Sequence, residues 1–457
     1  MRDQVVDVVV VGAGTAGANA AYQLARRGRQ VLLVERRRAD DAGAQWHNGV
    51  LDRHFVEAGL EPPSGAERSV EEGTIHMRGR DPRVGPTVLD APTVRADMAL
   101  LGRRLRQLGA DAGVELVDEV TDLDVSVDAS GRVRSVELRR EAGSARRVVA
   151  DLFVDASGWR GVLRRRSPHL EPWCPPLSGD ELCSAADVVH RIADRDGAQR
   201  YLERHGARLG DVVTHLGVVG GFSTVAVTVF PDLETVGILV GCLTNGRYST
   251  GPKMVDDLRR RERWIGEPVH TGAGVIPLRR PYARVSAPGL ALVGDAAGQV
   301  FPAHGSGIGV GLVAGSMLAE GVADLADPGD PASLWARYQA PFMARFGADL
   351  LAYDALRRAS TRLGADGVDE LLRSGVADAE TLEAGLDQRW AVPGPVAAAR
   401  QAGRLARHPR LAAVMVPALA RAQALRVHAG RYPTEADVAA LARWERRTGA
   451  LLGPLPS

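Results

Sequence analysis

The clearest pattern early in the chain is a run of β-branched residues, Val8 to Val11, with no polar position among them. A strand that never alternates is one covered on both faces, as in a parallel sheet. The apolar spacing then becomes helical at Ala20, Ala21 and Leu24 and stops near Gly28, after which Val31 to Val34 reads as a second buried strand. Leu290 to Val293 repeats the buried-strand pattern and leads into an apolar helix running to about Ala323. Between them, Phe222 to Phe230 and Thr235 to Leu243 alternate apolar with small or polar residues, the period of half-buried antiparallel strands. Pro231-Asp232 marks the turn region that joins the two. From Pro331 onward the spacing is helical, as in Leu350, Leu351, Tyr353, Asp354 and Leu356, and strand signals are lacking. Those helices can line a tunnel, dock a second subunit or cap the core.

The link between the first two strands is Gly12-Ala13-Gly14-Thr15-Ala16-Gly17, and the second strand ends in Glu35-Arg36. Strand, glycine turn, helix, strand and acid in this order form a dinucleotide site. Gly12 permits the tight turn, Gly14 lets backbone approach a pyrophosphate, and Gly17 lets the helix pack on the strand. The helix N-terminus at Thr15 and Ala16 offers unpaired N–H groups to phosphates, and Glu35 can accept from both ribose hydroxyls. This segment leaves open whether the nucleotide is FAD or NAD.

Composition narrows the picture only a little. The chain has 457 residues, 45% hydrophobic and 25% charged, with a formal charge of +1. That is an ordinary globular balance with no whole-chain attraction to nucleic acid or to an anionic membrane. Cys174, Cys183 and Cys242 form no metal-ligand spacing, and their odd number argues against a disulfide framework. No metal is expected. No charged-then-apolar leader opens the sequence, because Asp3 and Asp7 interrupt the first apolar run. The uncharged run from near His304 to Glu320 is glycine-rich and shorter than the roughly 20 residues that span a bilayer. The expectation is a cytoplasmic protein with no transmembrane segment.

The second half of the nucleotide site reads Gly294-Asp295-Ala296-Ala297-Gly298, then Pro302, then Gly305-Ser306-Gly307-Ile308-Gly309 at the start of the helix. With the N-terminal turn, this resembles the flavoprotein superfamily of para-hydroxybenzoate hydroxylase type, which includes geranylgeranyl reductases and flavin halogenases. The resemblance covers roughly residues 5 to 325 and implies FAD as the cofactor. It implies that Asp295 binds a ribityl hydroxyl and that Gly305 to Ile308 lie against the isoalloxazine ring. A helix N-terminus there suits the negative charge that reduction places around N1–C2=O. Arg95, ahead of an amphipathic helix, is similar to the family arginine that reaches the cofactor. Asp155, in Asp155-Ala156-Ser157-Gly158, resembles the second acidic-glycine motif, with Gly161 standing where the family has a serine and Arg164 matching.

The fold so implied is a Rossmann-like FAD-binding domain of glutathione-reductase type. It is discontinuous over residues 1–45, 90–170 and 272–335. A substrate domain occupies 46–89 and 171–271, and the helical region 336–457. In the superfamily the segment after the second strand passes the flavin, which here makes Trp46 and Asn48 substrate contacts and His47 a candidate proton donor. His304, directly before the flavin-contacting glycines, is a second candidate. The halogenases' Trp-x-Trp-x-Ile-Pro segment and active-site lysine are absent from the first domain, and Gly298 replaces the hydroxylases' histidine. Gly305 to Ile308 and Phe230-Pro231 look more like the geranylgeranyl reductase branch, although that branch's cysteine near the flavin is missing. Phe230 is therefore a further substrate-contact candidate.

The reading is hydride transfer to or from a carbon–carbon bond of a hydrophobic small molecule. A single-component flavin monooxygenase and a non-redox enzyme of lycopene-cyclase type remain as alternatives. No second dinucleotide unit is visible, so electrons come from transiently docked NAD(P)H or from a partner reductase. A homo-oligomer is also left open.

Overall fold

The computed structural model describes residues 3–68, 73–90, 93–140 and 145–455. Strand β1 (Gln4–Val11), helix α1 (Thr15–Ala25) and strand β2 (Val31–Val34) open the chain. Short elements follow: β3 (His47–Val50), α2 (Asp52–Glu57), β4 (Ile75–Arg78), β5 (Thr87–Leu89) and β6 (Val94–Asp97). Then come α3 (Met98–Asp111), β7 (Glu115–Val117), the hairpin β8 (Val120–Val127) and β9 (Val133–Arg140), and β10 (Arg146–Asp155). The middle of the chain gives β11 (Leu182–Ile192), α4 (Arg195–His205), β12 (Val212–Leu216), β13 (Ser223–Val229), β14 (Thr235–Leu243), α5 (Gly251–Arg261) and β15 (Ile265–Pro277). It returns through β16 (Ser286–Ala287), β17 (Leu290–Leu292) and α6 (Ile308–Val322). Helices α7 (Pro331–Leu334), α8 (Ala340–Ser374), α9 (Ala379–Leu386), α10 (Pro395–Ala406), α11 (Pro409–Ala429) and α12 (Val438–Leu452) complete the chain.

The first sheet has a parallel centre in the order β17-β10-β1-β2-β7, with β16 antiparallel at one edge and the β8–β9 hairpin joined through β9 to β10. Val8, Val9 and Val10 are fully buried, as their unbroken apolar run requires. Helices α1 and α6 cross on this sheet at backbone distance, since a Cβ on Gly315 would lie 3.2 Å from the Ala20 amide nitrogen.

The second sheet runs β15-β11-β14-β13-β12-β4-β5 and is antiparallel except where β12 meets β4. β13 and β14 pair antiparallel, with Val227 opposite Ile238, and Asp232 closes the turn by accepting from the Glu234 and Thr235 amides. One face buries Val225, Val227, Val236, Ile238 and Val240 with Tyr201, Met254 and Leu258 of α4 and α5. The period-2 alternation turns Ala185, Asp187, Thr214, Thr224, Ala226 and Gly241 to the other face, which lines a cavity.

The C-terminal third is helical. Helix α8 is interrupted at Gly364 (φ 64°, ψ −170°) and packs along α11. Among the described residues no helix is long and apolar enough to cross a membrane, and no cluster of three or more histidine, cysteine or acidic side chains is placed to hold a metal.

Candidate functional site: a cavity from the glycine turn to the C-terminal helices

A single cavity of about 1520 Å³ begins at the β1–α1 turn, passes under the second sheet and continues among α8 to α11. Pockets for one drug-sized ligand hold roughly 300–1,000 Å³, so this one has room for more than one molecule. Its first end is built by Gly12, Gly14, Thr15, Ala16, Glu35 and Arg36, with Arg160 and Arg166 at the rim.

Gly12 holds φ +107°, and a Cβ there would strike the Ala156 carbonyl. Gly17 is off the wall and faces the strand side: its Cβ would fall on the Gly12 carbonyl and 2.8 Å from the Ala156 Cβ. Gly14 is different, with nothing nearer to its Cβ than the Gly43 Cα at 3.5 Å. The Glu35 carboxylate is ordered by the Ala13 amide (2.9 Å) and the Arg37 amide (3.0 Å), one on each oxygen. Each oxygen keeps an accepting lone pair.

At the far side of this end, Gly294, Asp295, Gly305, Gly307 and Ile308 line the cavity. Gly305 has φ +79°, and its Cβ would lie 2.7 Å from Ile276 Cδ1, so backbone alone forms this wall. Among the described residues no donor reaches the Asp295 carboxylate. Burial without a partner raises its pKa to about 6. The glycine at 309 serves packing, because its Cβ would overlap the His54 ring.

These features fit a flavin dinucleotide. Helices α1 and α6 both start at the cavity on glycine N-caps with no side-chain cap, whereas α3, α5, α9 and α12 are capped by Asp97, Thr250, Asp378 and Asp437. Two free helix N-termini are places for a pyrophosphate and for a reduced ring's negative edge. Glu35 and the unpartnered Asp295 supply acceptors suited to sugar hydroxyls.

The raised Asp295 pKa has a consequence for stability. The ionised form is disfavoured in the folded protein, so above pH 6 this residue subtracts from stability, and below its ordinary value of 3.8 it contributes nothing. Flavin-stripped Asp295→Asn protein is therefore expected to melt higher than wild type at pH 8 and at the same temperature below pH 4, while retaining FAD less tightly. A melting difference that does not change with pH would overturn this account of Asp295.

Several residues singled out in the sequence sit off the wall, each for a visible reason. Arg95 pairs with Asp187 at 3.0 and 3.2 Å and stacks near Phe230 at 5.7 Å. Phe230 itself packs where a Cβ on Gly237 would be, 2.9 Å from its ring. Asp155 accepts from the Ser157 amide and hydroxyl and from the Arg164 amide, so it shapes its own loop and leaves Ala156, Ser157 and Gly158 at the cavity. Pro302 is buried behind the turn that Phe301 closes on Ser306. Gly161, the departure from the family serine, lies under the Arg164 guanidinium, where a Cβ would come within 2.6 Å.

Strand alternation separates the Trp46-His47-Asn48 cluster. Trp46 and Asn48 face the cavity, and the indole lies across Gly272 and Gly274, whose Cβ atoms would be 3.0 and 2.7 Å from it. His47 points the other way. Its Nδ1 is 3.8 Å from Asp187 Oδ1, its Nε2 is 4.0 Å from Asp97 Oδ2, and its ring meets His270 edge-on at 5.8 Å. His304 does line the cavity, 4.9 Å from Phe301. Burial lowers its pKa to about 4, outweighing a hydrogen bond with the Gly385 backbone, so it is neutral at pH 7 and holds no spare proton.

Sequence reasoning passed over Asp187 and left open whether the C-terminal helices line the cavity. Asp187 stands alone as an acid within the apolar strand β11, a signal open to inspection. Beyond His304, Phe301 meets Tyr353 at a tilt (4.5 Å) and Tyr353 meets Trp390 edge-on (5.6 Å), and Leu363, Val368, Leu382, Leu405 and Met415 line the continuation. Cys183 is on the wall too, with its thiol pushed up to about 12 by burial.

Residues 7–165 match the family model described as FAD dependent oxidoreductase. With the site's geometry, this makes the protein an FAD-dependent oxidoreductase. The likeness extends over most of the chain to reductases. The digeranylgeranylglycerophospholipid reductase of Sulfolobus acidocaldarius is 23% identical over 403 residues, 84% of this chain and 83% of that protein. The menaquinone reductase of Mycolicibacterium smegmatis is 29% identical over 341 residues, 69% and 75% respectively. In structure, a geranylgeranyl bacteriochlorophyll reductase-like protein from Thermoplasma acidophilum superposes with a TM-score of 0.69 at 18% identity, covering 88% of this chain and 96% of that one.

Proposed function

We propose that the protein saturates carbon–carbon double bonds in the apolar chain of an isoprenoid lipid. The observation that carries this is the continuity of the cavity: the wall bearing Asp295 and Gly305 to Ile308 opens without a break into the apolar passage among α8 to α11. The relatives named above refer to a digeranylgeranyl glycerophospholipid and to a menaquinone, two molecules that share a long polyprenyl chain. On this reading the parallel sheet with α1 and α6 is the Rossmann-like FAD domain of glutathione-reductase type. The second sheet is the roof over substrate, and the C-terminal helices form the tunnel.

Bound FAD, once reduced, supplies the hydride. The chain's own residues do the rest. Gly12, Gly14, Thr15 and Ala16 present the α1 N-terminus to the pyrophosphate, Glu35 takes the ribose, and Asp295 and the α6 N-terminus hold the ribityl chain and ring. Trp46, Asn48 and the apolar roof keep water from the reacting carbons. The second carbon needs a proton, which neutral His304 does not store. Asp187 stands on the wall with His47 behind it and Asp97, its side chain 31% exposed, behind that. Gaps of 3.8 and 4.0 Å are closed by a side-chain rotation or by one water, so this series leads a proton from solvent to the cavity.

Protein reduced with dithionite and mixed anaerobically with a geranylgeranyl-chain lipid should return product heavier by two hydrogens per reduced bond. Unchanged mass, or the gain of one oxygen when air is admitted, would replace this reading with the non-redox or the monooxygenase one. Leu382→Trp and Met415→Trp narrow the passage. Each should lower turnover of long-chain substrate tenfold or more while leaving flavin content and short-chain turnover intact. Equal losses on short and long chains would show that the chain does not run through the helices.

A further inference from the structure

The whole-chain charge of +1 conceals an asymmetry. From Gln388 to Thr434 there are eight arginines and no aspartate or glutamate, so the remainder of the chain carries a formal charge of −7 (+1 less +8). This stretch is α10, α11 and their flanks. Arg404 and Arg426 are held by Asp378 (4.0 Å) and Asp349 (3.3 Å), and Arg389 by Asp387. Arg400, Arg407, Arg410, Arg421 and Arg431 are exposed, and among the described residues none of them makes an ion pair.

The same face is apolar. Val392 and Val396 are 75% and 74% exposed, Val416 52% and Leu419 37%. Ala413, Pro417 and Ala420 continue an outward row along α11. Leu419 also lines the cavity, as do Pro393, Leu405 and Met415, so the passage comes to the surface here. Contiguous exposed apolar side chains rimmed by one sign of charge mark a surface made for a partner. A partner with an apolar interior, an anionic face and access to the cavity mouth is a lipid bilayer.

We propose that the face made by α10 and α11 docks on an anionic bilayer. Val392, Val396, Val416 and Leu419 enter the interface, the unpaired arginines meet lipid phosphates, and the cavity mouth turns toward the apolar layer. The negative remainder of the molecule is repelled from the same surface, which sets the orientation. The purpose of docking, passing an isoprenoid chain into the cavity without crossing water, rests on the function proposed above. The docking itself is testable apart from it.

Flavin-loaded protein is mixed with vesicles of equal parts phosphatidylcholine and phosphatidylglycerol, or of phosphatidylcholine alone, and sedimented. Binding is expected to the mixed vesicles only and to fall as salt is raised. Each arginine near an anionic surface is worth about fivefold in partitioning, so Arg400→Gln with Arg410→Gln should weaken it at least tenfold. Val396→Asp with Val416→Asp should also weaken it, whereas Arg139→Gln, on β9, should not. Equal binding to both vesicle types, or arginine variants that bind like wild type, overturns the proposal. So does a dimer seen by light scattering that the valine variants dissociate while vesicles stay unbound, because the face then serves self-association. Turnover of a short prenyl substrate in detergent is measured in parallel. Vesicle binding without reduction refutes the functional reading alone, and reduction without vesicle binding refutes the docking alone.

Discussion

Gly12→Ala is expected to yield protein that carries no flavin after purification and fails to take up FAD on reconstitution. The cause is steric and local. The new methyl group would press on the Ala156 carbonyl, with its carbon 2.6 Å away and Ser157 Cα at 3.0 Å. Both are backbone, so no rotamer change relieves the contact. Ala156 is also tied to β1 by the hydrogen bond that its amide donates to the Val11 carbonyl (2.8 Å). The φ of +107° adds strain on the order of 1–3 kcal/mol for any residue with a Cβ. The β1–α1 turn must therefore separate from the loop after β10, and both line the end of the cavity that the proposed function gives to the nucleotide. Gly14→Val is the matched comparison. With no backbone or side chain nearer to its Cβ than the Gly43 Cα at 3.5 Å, it should leave the melting temperature of flavin-free protein close to wild type and still abolish binding by occupying the pyrophosphate's place. Flavin absorbance and thermal melts on both variants check the pair. If Gly12→Ala binds FAD normally, the turn is not the binding element.

The second large effect is on stability. Asp354 and Arg357 are fully buried side chains in α8, joined at 3.0 Å, with Arg358 at 3.2 Å on the other carboxylate oxygen. Burial alone would raise the Asp354 pKa, but Arg358, Arg357, Arg279 and Arg280 outweigh it and hold the carboxyl at about 2. Among the described residues, Asp354→Ala leaves these arginines with Glu181 and Glu445 as the anions facing them. Removing one partner of a buried pair costs about 3–5 kcal/mol, because the desolvated charge stays behind. The depressed pKa means that Asp354's contribution is complete above its ordinary value of 3.8 and is lost only as pH falls toward 2. Denaturant midpoints of wild type and variant should accordingly differ by the same amount at pH 5 and pH 8. A loss under 1 kcal/mol would mean that water or rearranged arginines compensate the site.

The parts of the site legible in the sequence are those made by neighbours along the chain. The turn from Gly12 to Gly17 and the approach from Gly294 to Ile308 each join one strand to one helix, and Glu35 directly follows the second strand. Their chemistry follows from local backbone requirements that a sequence states directly. The alternation of β13 and β14 was legible for the same reason, since a strand's two faces are written at period 2. The helical nature of the C-terminal third was legible too, but the sequence left open whether those helices cap the core, dock a partner or line a passage.

What a side chain meets across the fold is another matter. His47 sits between Trp46 and Asn48, so one face of one strand decides whether it meets a cavity or the Asp187 and Asp97 carboxylates. Arg95 and Asp187 are far apart in sequence, and only the packing of β6 against the second sheet joins them. Gly309 reads like its neighbours at 305 and 307, yet its cause is the His54 ring arriving from α2. The neutral state of His304 depends on burial supplied by elements it does not belong to. By itself the sequence determined the α/β class and the dinucleotide turn, because those rest on short-range backbone geometry, and it pointed to FAD through the family resemblance of its two glycine motifs. The tertiary structure alone decided which polar groups reach the cavity, how far it runs among the helices and where it meets the surface, because each depends on distances between segments that no local pattern encodes.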